Sequence, residues 1–155
     1  MDKIETIKFL YNQLRPVQKT IFTQFRKCQK RMTVFHCSRR LGKTHLLCVL
    51  SVIYALKKNN SQIRYASVTQ KAVRKMVHPI FKEIFNKIPL QYRGKWNGQE
   101  GAYLFQNGSF IHCLGVNGGH SDDARGTATD LALIDEAAFV DELSYLVDSV
   151  LMPQL

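Results

Sequence analysis

The fold is decided by residues 37–44, which read Cys37-Ser38-Arg39-Arg40-Leu41-Gly42-Lys43-Thr44. This stretch fits the phosphate-loop spacing G-x-x-x-x-G-K-[ST], with a cysteine in place of the first glycine. Gly42 lets the backbone approach phosphate groups without a Cβ clash, and the backbone N–H groups that begin the next helix attract anions. Lys43 is expected to contact the β- and γ-phosphates, and the Thr44 hydroxyl to ligate Mg²⁺. Residues 37–44 are therefore predicted to bind ATP with Mg²⁺.

The segments on either side of this loop suit such a site. Residues 32–36 are mostly apolar and include β-branched side chains, which predicts a buried strand before the loop. Residues 44–57 are apolar nearly all round, which predicts a buried helix after it.

The rest of the chain alternates between strand-like and helix-like segments. Asn107-Gly108 lies between two alternating segments and is a strong hairpin signal, while residues 94–101 and 116–129 read as loops. Further strands are predicted over residues 62–68 and 131–134, and further helices over residues 4–14, 16–28, 70–88 (broken near Pro79) and 142–151. This order predicts a single α/β domain over residues 1–155, a P-loop NTPase of the RecA/ASCE type. Its parallel sheet would be flanked by helices and carry an added β-hairpin.

Two acids end the apolar strand at residues 131–134. The first, Asp135, is expected to support Mg²⁺, and the second, Glu136, to polarise an attacking water as a general base. Alone, the two would read as ordinary solvated acids. Together with Lys43 and Thr44 they supply the second half of one site.

Other side chains have two open interpretations each. Gln18 could read the adenine edge through its amide, or lie on a helix surface. One of Arg39 and Arg40 could reach the γ-phosphate as an arginine finger, while the other pairs with an acid or contacts DNA. Arg125, the single Lys or Arg after residue 99, could form a local ion pair or project into a neighbouring subunit.

The charge is spread unevenly along the chain. Residues 1–99 carry 21 Lys and Arg against three acids, whereas residues 100–155 carry one Arg and nine acids, for a total of +10. The excess of cations in residues 1–99 indicates a polyanionic partner, namely nucleotide phosphates, DNA or RNA. Five cations fall mostly on one predicted helix, where they form either a phosphate-tracking surface or a solvated helix side: Lys71, Arg74, Lys75, Lys82 and Lys87.

The remaining composition excludes several classes of protein. The four cysteines and five histidines show neither metal-ligand spacing nor a disulfide framework. The longest nearly apolar run, residues 46–56, is too short to span a bilayer, and the N-terminus has no signal-peptide pattern. We expect a cytoplasmic chain with no membrane partner.

Four motifs together resemble the ATPase domain of the large terminase subunit, the DNA-packaging motor of tailed phages and related viruses. They are the arginine-containing phosphate loop, the adenine-type motif Arg15-Pro16-Val17-Gln18, the hairpin followed by Asp123-Ala124-Arg125-Gly126, and the acidic strand ending in Ile134-Asp135-Glu136-Ala137-Ala138.

The resemblance implies roles for the candidate residues. Lys43 and Thr44 would bind phosphate and Mg²⁺, Asp135 would support Mg²⁺, and Glu136 would activate water. Arg39 would sense or stabilise the γ-phosphate. Arg125 would act in trans on the next subunit of a ring.

The resemblance also implies partners. They are double-stranded DNA as the translocated substrate, a homo-oligomeric ring, a portal protein and a small terminase subunit, in the host cytoplasm. Members of that family continue with a coupling motif and a nuclease domain, so this chain is expected to be incomplete at its C-terminus and to lack the nuclease. Two alternatives remain open: a helicase-type nucleic-acid-dependent ATPase, and a nucleotide- or DNA-binding fragment without turnover of its own.

Overall fold

Helices and strands alternate along the chain in the computed structural model, which describes residues 1–38, 40–126 and 128–155. The α-helices are α1 (Lys3–Asn12), α2 (Pro16–Lys27), α3 (Lys43–Lys57), α4 (Gln70–Ala72) and α5 (His78–Asn86). The strands are β1 (Gln62–Ser67), β2 (Lys95–Asn97), β3 (Ala102–Leu104), β4 (Phe110–Gly115) and β5 (Leu131–Ile134). Two π-helical segments cover Val73–Val77 and Tyr145–Leu151, and short 3-10 turns cover Leu90–Tyr92, Ser121–Ala124, Ala137–Phe139 and Met152–Gln154.

The five strands form one mixed sheet in the order β2-β3-β4-β1-β5. Strand β1 lies in the middle of the parallel part and pairs with β4 on one side and β5 on the other. The hairpin at Asn107-Gly108 joins β3 to β4 in antiparallel pairing, and β2 adds a further antiparallel strand. The predicted α/β arrangement with an added hairpin is confirmed.

Local sequence signals explain where several helices begin. Asp2 caps α1 by accepting the Glu5 N–H at 2.8 Å, while the Glu5 side chain accepts the Asp2 N–H at 2.7 Å. Thr69 caps α4, since its hydroxyl accepts the Ala72 N–H at 3.1 Å. The long helix predicted over residues 70–88 is divided by the π-helical turn Val73–Val77, just before Pro79.

Two predictions of local structure are wrong. Residues 32–36 form no strand, and Val34 is 79% exposed. Apolar and β-branched residues favour a strand only where a neighbouring strand offers hydrogen bonds, and no described strand pairs with the outer edge of β5. The Arg31 side chain instead donates to the Met152 carbonyl at 2.8 Å. Residues 94–101 are not all loop, because β2 forms there by pairing with β3.

The core lies on both faces of the sheet. On one face, α3 and α5 pack against inward side chains of the strands, including Ile63, Tyr65 and Ile111, and α1 packs on α3. On the other face, Leu146 and Val150 of the second π-helical segment pack near Ala66. Helix α3 packs against the parallel strands, and the phosphate-loop motif lies at its start.

Among the described residues, no helix combines the length and apolar character needed to cross a membrane.

Gly115 provides a test of this packing. A Cβ at the end of β4 would overlap backbone atoms of Thr69 and Gln70, which cannot move aside as a flexible side chain would. We expect Gly115→Ala to lower the free energy of unfolding by about 1–3 kcal/mol in urea denaturation. Gly98→Ala is the matched control, since its Cβ would make only an ordinary 3.6 Å contact. Equal stability of the two variants would contradict the packing of β4 against α4.

Candidate functional site

The loop before α3 depends on a glycine at position 42. Gly42 is the N-cap of α3 and has φ +80°, a left-handed conformation that favours glycine. A Cβ there would lie 2.7 Å from Nε2 of Gln18. The helical hydrogen-bond ladder starts with the Leu46 N–H on the Gly42 carbonyl at 3.0 Å, so the N–H groups of residues 43–45 have no acceptor within the helix. These groups form the anion-attracting end of α3.

The Lys43 side chain turns back onto the loop. Its Nζ donates to the Cys37 carbonyl at 3.2 Å and to the Ser38 carbonyl at 3.1 Å. The ammonium group therefore lies beside the backbone that would surround a phosphate. Arg40 is exposed in a left-handed conformation, with φ +66°. Arg39, predicted as both a catalytic and a nucleotide-binding residue, lies outside the described residues.

Gln18 connects α2 to the same loop. The side chain is only 2% exposed, and its Nε2 donates to the carbonyls of Leu41 at 3.1 Å and Gly42 at 3.0 Å. Its Oε1 accepts the Arg15 N–H at 2.9 Å. The Gln18 amide thus holds the loop in place through these hydrogen bonds. The position of Gln18 on a predicted helix did not reveal them. Recognition of adenine by Gln18 stays a prediction.

Asp135 brings the end of β5 to the first turn of α3. Only 5% of the residue is exposed, and Oδ2 accepts the Thr44 hydroxyl at 2.8 Å. The backbone N–H of Asp135 donates to the Ala66 carbonyl at 2.9 Å, which continues the pairing of β5 with β1 past the end of the strand. Two motifs that are 91 residues apart in sequence therefore meet at one oxygen atom.

Tyr65 is the third member of this contact, and the sequence analysis missed it. The side chain is fully buried on β1, and its hydroxyl donates to the same Oδ2 of Asp135 at 3.1 Å. Burial, followed by nearby Cys48 and Asp135, raises the pKa of Tyr65 well above its usual value, so the phenol stays protonated as a donor. A tyrosine inside an otherwise buried strand usually needs a hydrogen-bond partner, and that is the signal that was available.

Glu136 differs from Asp135 in backbone conformation, exposure and hydrogen bonding. Its backbone is left-handed, with φ +54°, a rare conformation for a residue with a side chain. The side chain is exposed, and no described residue donates a hydrogen bond to its carboxylate. A residue of this kind beside a buried acid fits a functional role better than a structural one. Water activation by Glu136 stays a prediction.

Arg125 lies in a local ion pair on the surface. Its Nε donates to Oδ1 of Asp122 at 2.6 Å, and its Nη2 donates to the Tyr145 hydroxyl at 2.9 Å. The hydrogen bond from Arg125 lowers the pKa of the Asp122 carboxyl. In the described part of the chain Arg125 hydrogen-bonds neither Thr44 nor Asp135, and its action on a neighbouring subunit stays a prediction.

Two oxygen-bearing groups of this site could hold Mg²⁺ together with a bound phosphate. No group of three or more His, Cys, Asp or Glu side chains in the described part of the chain could hold a metal ion. Mg²⁺ prefers oxygen ligands and is usually bound by one or two protein groups together with substrate phosphates. The Thr44 hydroxyl and the Asp135 carboxylate form such a pair, next to the free N–H groups of α3.

Thiol reactivity tests the burial around this site. The pKa of Cys28 is lowered by hydrogen bonds with the Lys30 backbone and the Thr33 side chain, so this exposed thiol should react fastest. Burial raises the pKa of Cys48 and Cys113, which should react only after unfolding. Mass spectrometry of maleimide-treated protein distinguishes the sites. Labelling of Cys48 as fast as Cys28 would contradict the packing of α3 against β1.

The Tyr65 hydroxyl should contribute to stability. We expect Tyr65→Phe to lower the free energy of unfolding by about 1–3 kcal/mol, since Asp135 loses one of the two side-chain donors that the described residues give it. Tyr92→Phe is the matched control, because Tyr92 is half-buried and no side-chain hydrogen bond involves its hydroxyl within the described ranges. Urea denaturation of the two variants measures the difference. Identical unfolding curves of the two variants would show that the hydrogen bond from Tyr65 to Asp135 does not contribute to the free energy of unfolding.

Comparison with known families places most of the chain in a viral family. The family described as terminase large subunit, T4likevirus-type, N-terminal, matches residues 34–147, most of the chain. The matched range includes the loop at residues 37–44, Tyr65, Asp135 and Glu136, and it begins after Gln18. No curated protein matches the sequence.

Proposed function

The chain belongs to the terminase large subunit family of the T4-like-virus type, in its N-terminal part, and from this membership we propose that it is the ATP-hydrolysing unit of a viral DNA-packaging motor. The family suggests a packaging-motor role, and the P-loop NTPase fold, ATP turnover and DNA translocation are our proposal. The observation that supports it is the 2.8 Å hydrogen bond from Thr44 to Asp135, because it joins the two motifs that the proposal assigns to one nucleotide site.

Each residue of the loop would bind the nucleotide in its own way. The N–H groups of residues 43–45 would donate to phosphate oxygens, and Gly42 would allow the close approach. Lys43 would exchange its loop carbonyls for the β- and γ-phosphates, a short movement for a flexible side chain. Thr44 and Asp135 would supply the protein ligands of Mg²⁺, which when bound neutralises the phosphate charge. Cys37, Ser38, Arg40 and Leu41 would contribute backbone to the same cradle.

Glu136 is proposed as the general base. Its exposed carboxylate follows Asp135 directly and can accept a proton from water without breaking a hydrogen bond to the described protein. We also propose Arg39 or Arg125 as the cation that stabilises the transferred phosphate. For Arg125 this requires release from Asp122 and Tyr145, or action on a neighbouring subunit.

The proposed partners follow from the family. They are double-stranded DNA, further copies of the chain in a ring, a portal protein and a small terminase subunit. The excess of cations in residues 1–99 supports a DNA partner, because a basic surface raises the local concentration of polyanions.

A nucleotide-binding unit without turnover is the second candidate. The observation that favours it is that, among the described residues, neither the Glu136 carboxylate nor the Arg125 guanidinium hydrogen-bonds Thr44 or Asp135. The two candidates differ in one measurable property, the dependence of hydrolysis on Glu136.

Phosphate release with and without duplex DNA tests the proposed function. We expect Lys43→Ala to abolish both ATP binding and turnover. Glu136→Gln should retain binding but lose about 10²–10⁴-fold in kcat, since only proton transfer is removed. Glu100→Gln, an exposed acid in the β2–β3 turn, is the matched control and should behave as the parent protein.

Two results would contradict the proposal. If ATP binding does not depend on Lys43, the loop is not a nucleotide site. If ATP binds but turnover is the same in Glu136→Gln as in the parent protein, the chain is the binding unit without turnover.

A further inference from the structure

An exposed aromatic ring lies far from the phosphate loop in sequence, on the edge strand β2. Trp96 is the single tryptophan of the chain and is 40% exposed. It pairs in register with Tyr103, so the two rings lie on the same face of the sheet as α5. The indole rests on His78 at 4.2 Å and on Tyr103 at 5.0 Å between ring centroids. One side of the ring is thus supported by aromatic contacts while part of it stays open to solvent.

The supporting rings are themselves fixed. Nδ1 of His78 and the Tyr103 hydroxyl are joined by a 2.9 Å hydrogen bond. Tyr103 is buried against Phe81 and Phe85 of α5, at 4.8 and 5.2 Å. Trp96 therefore lies on a rigid base that holds the ring in place before any ligand arrives, which reduces the entropy lost on binding.

Cations lie on either side of His78, on the helical segment that supports this ring. Arg74 and Lys82 lie four residues before and after His78, and both are exposed. Burial lowers the pKa of His78, and the charges of Lys82 and Arg74 lower it further, in agreement with their spacing of four residues on either side of it. Arg74 lies in the π-helical segment and Lys82 in α5, and the eight residue steps between them span roughly 12 Å at the rise of an α-helix. Lys71 and Lys75, also exposed, extend the same basic side.

Acidic side chains do not neutralise this surface. Residues 70–86 contain one acid, Glu83, and its carboxylate is paired with Lys87 at 2.6 Å. Glu100 in the turn after β2 has its backbone next to His112, whose side chain lies on the opposite face from Tyr103. The positive charge beside Trp96 is therefore available to an external polyanion.

We propose that Trp96, Arg74 and Lys82, here called the Trp96 surface, bind single-stranded nucleic acid. The cations would contact phosphates, and one base would stack on the indole. Cations alone would suit any polyanion, but cations beside a residue that supports a partly open aromatic ring suit a chain that carries both phosphates and flat bases. A duplex keeps its bases stacked inside, so only an unpaired strand can offer a base to Trp96. The inference takes DNA as the nucleic acid from the proposed function, but it requires neither ATP binding nor turnover.

Trp96 itself reports on the binding. Because the chain has no other tryptophan, its emission can be followed without labelling while a single-stranded oligothymidine is added in the absence of ATP. We expect saturable quenching of this emission, and a weaker response to a duplex of the same length. An oligothymidine that saturates binding without changing the emission would overturn the proposal.

Variants separate the ring from the charges. Anisotropy with a labelled oligothymidine should show about 5- to 100-fold weaker binding for Trp96→Ala. Trp96→Phe keeps an aromatic face, so its affinity for oligothymidine should fall less. The double variant Arg74→Gln and Lys82→Gln should reduce the slope of log affinity against log salt by about 1.4, two contacts for a single strand. Lys8→Gln with Lys27→Gln, two exposed cations of α1 and α2, is the matched control.

The outcomes are decisive in both directions. Parent-like affinity of Trp96→Ala, or equal binding of duplex and single strand with no effect of the ring, would overturn the proposal. If circular dichroism shows that Trp96→Ala does not fold, the affinities of Trp96→Phe and of the double glutamine variant for oligothymidine are used instead. Weaker binding by both variants supports the proposal, and parent-like binding by both overturns it. Phosphate release by Trp96→Phe in the absence of DNA should match the parent protein, so a failure of this surface is distinguishable from a failure of the ATP site.

Discussion

The architecture of the candidate site depends on one buried carboxylate, Asp135. Its Oδ2 accepts two hydrogen bonds, from Thr44 at the start of α3 and from Tyr65 in the middle of β1. A buried acid without donors would destabilise the fold, so the start of the helix, the central strand and the end of β5 must hold their relative positions. The order β4-β1-β5 makes this possible, because it places the Tyr65 strand beside the strand that ends at Asp135.

Backbone conformations with positive φ occur in both segments that meet at this contact. Arg40, Gly42 and Glu136 all have positive φ, and the first two lie in the loop while the third follows Asp135. Such conformations persist only where neighbours enforce them. Gln18 and Lys43 perform this task for the loop through four hydrogen bonds to its carbonyls. The site is therefore held in shape by residues that are also the candidates for contacting a nucleotide.

Short-range signals in the sequence predicted much of this arrangement. The glycine and lysine of the loop, the fully apolar strand before Asp135 and the hairpin at Asn107-Gly108 each have a local physical cause, and the structure contains the elements they predict. Pairing between distant segments was not predictable in the same way. Residues 32–36 have the composition of a strand but no described partner edge, and β2 exists only through its pairing with β3. The roles of Tyr65 and Gln18 depend on partners 70 and 23 residues away, which no local pattern specifies.

The most direct test of the central claim is a double-mutant cycle on Mg-ATP binding, measured by calorimetry with Thr44→Ala, Asp135→Asn and the combined variant. If the hydroxyl and the carboxylate hold one metal–nucleotide complex, their effects are not independent, and the combined variant should lose little more affinity than the weaker-binding single variant. Losses that simply add, or affinities unchanged in all three variants, would contradict a shared site at the end of β5.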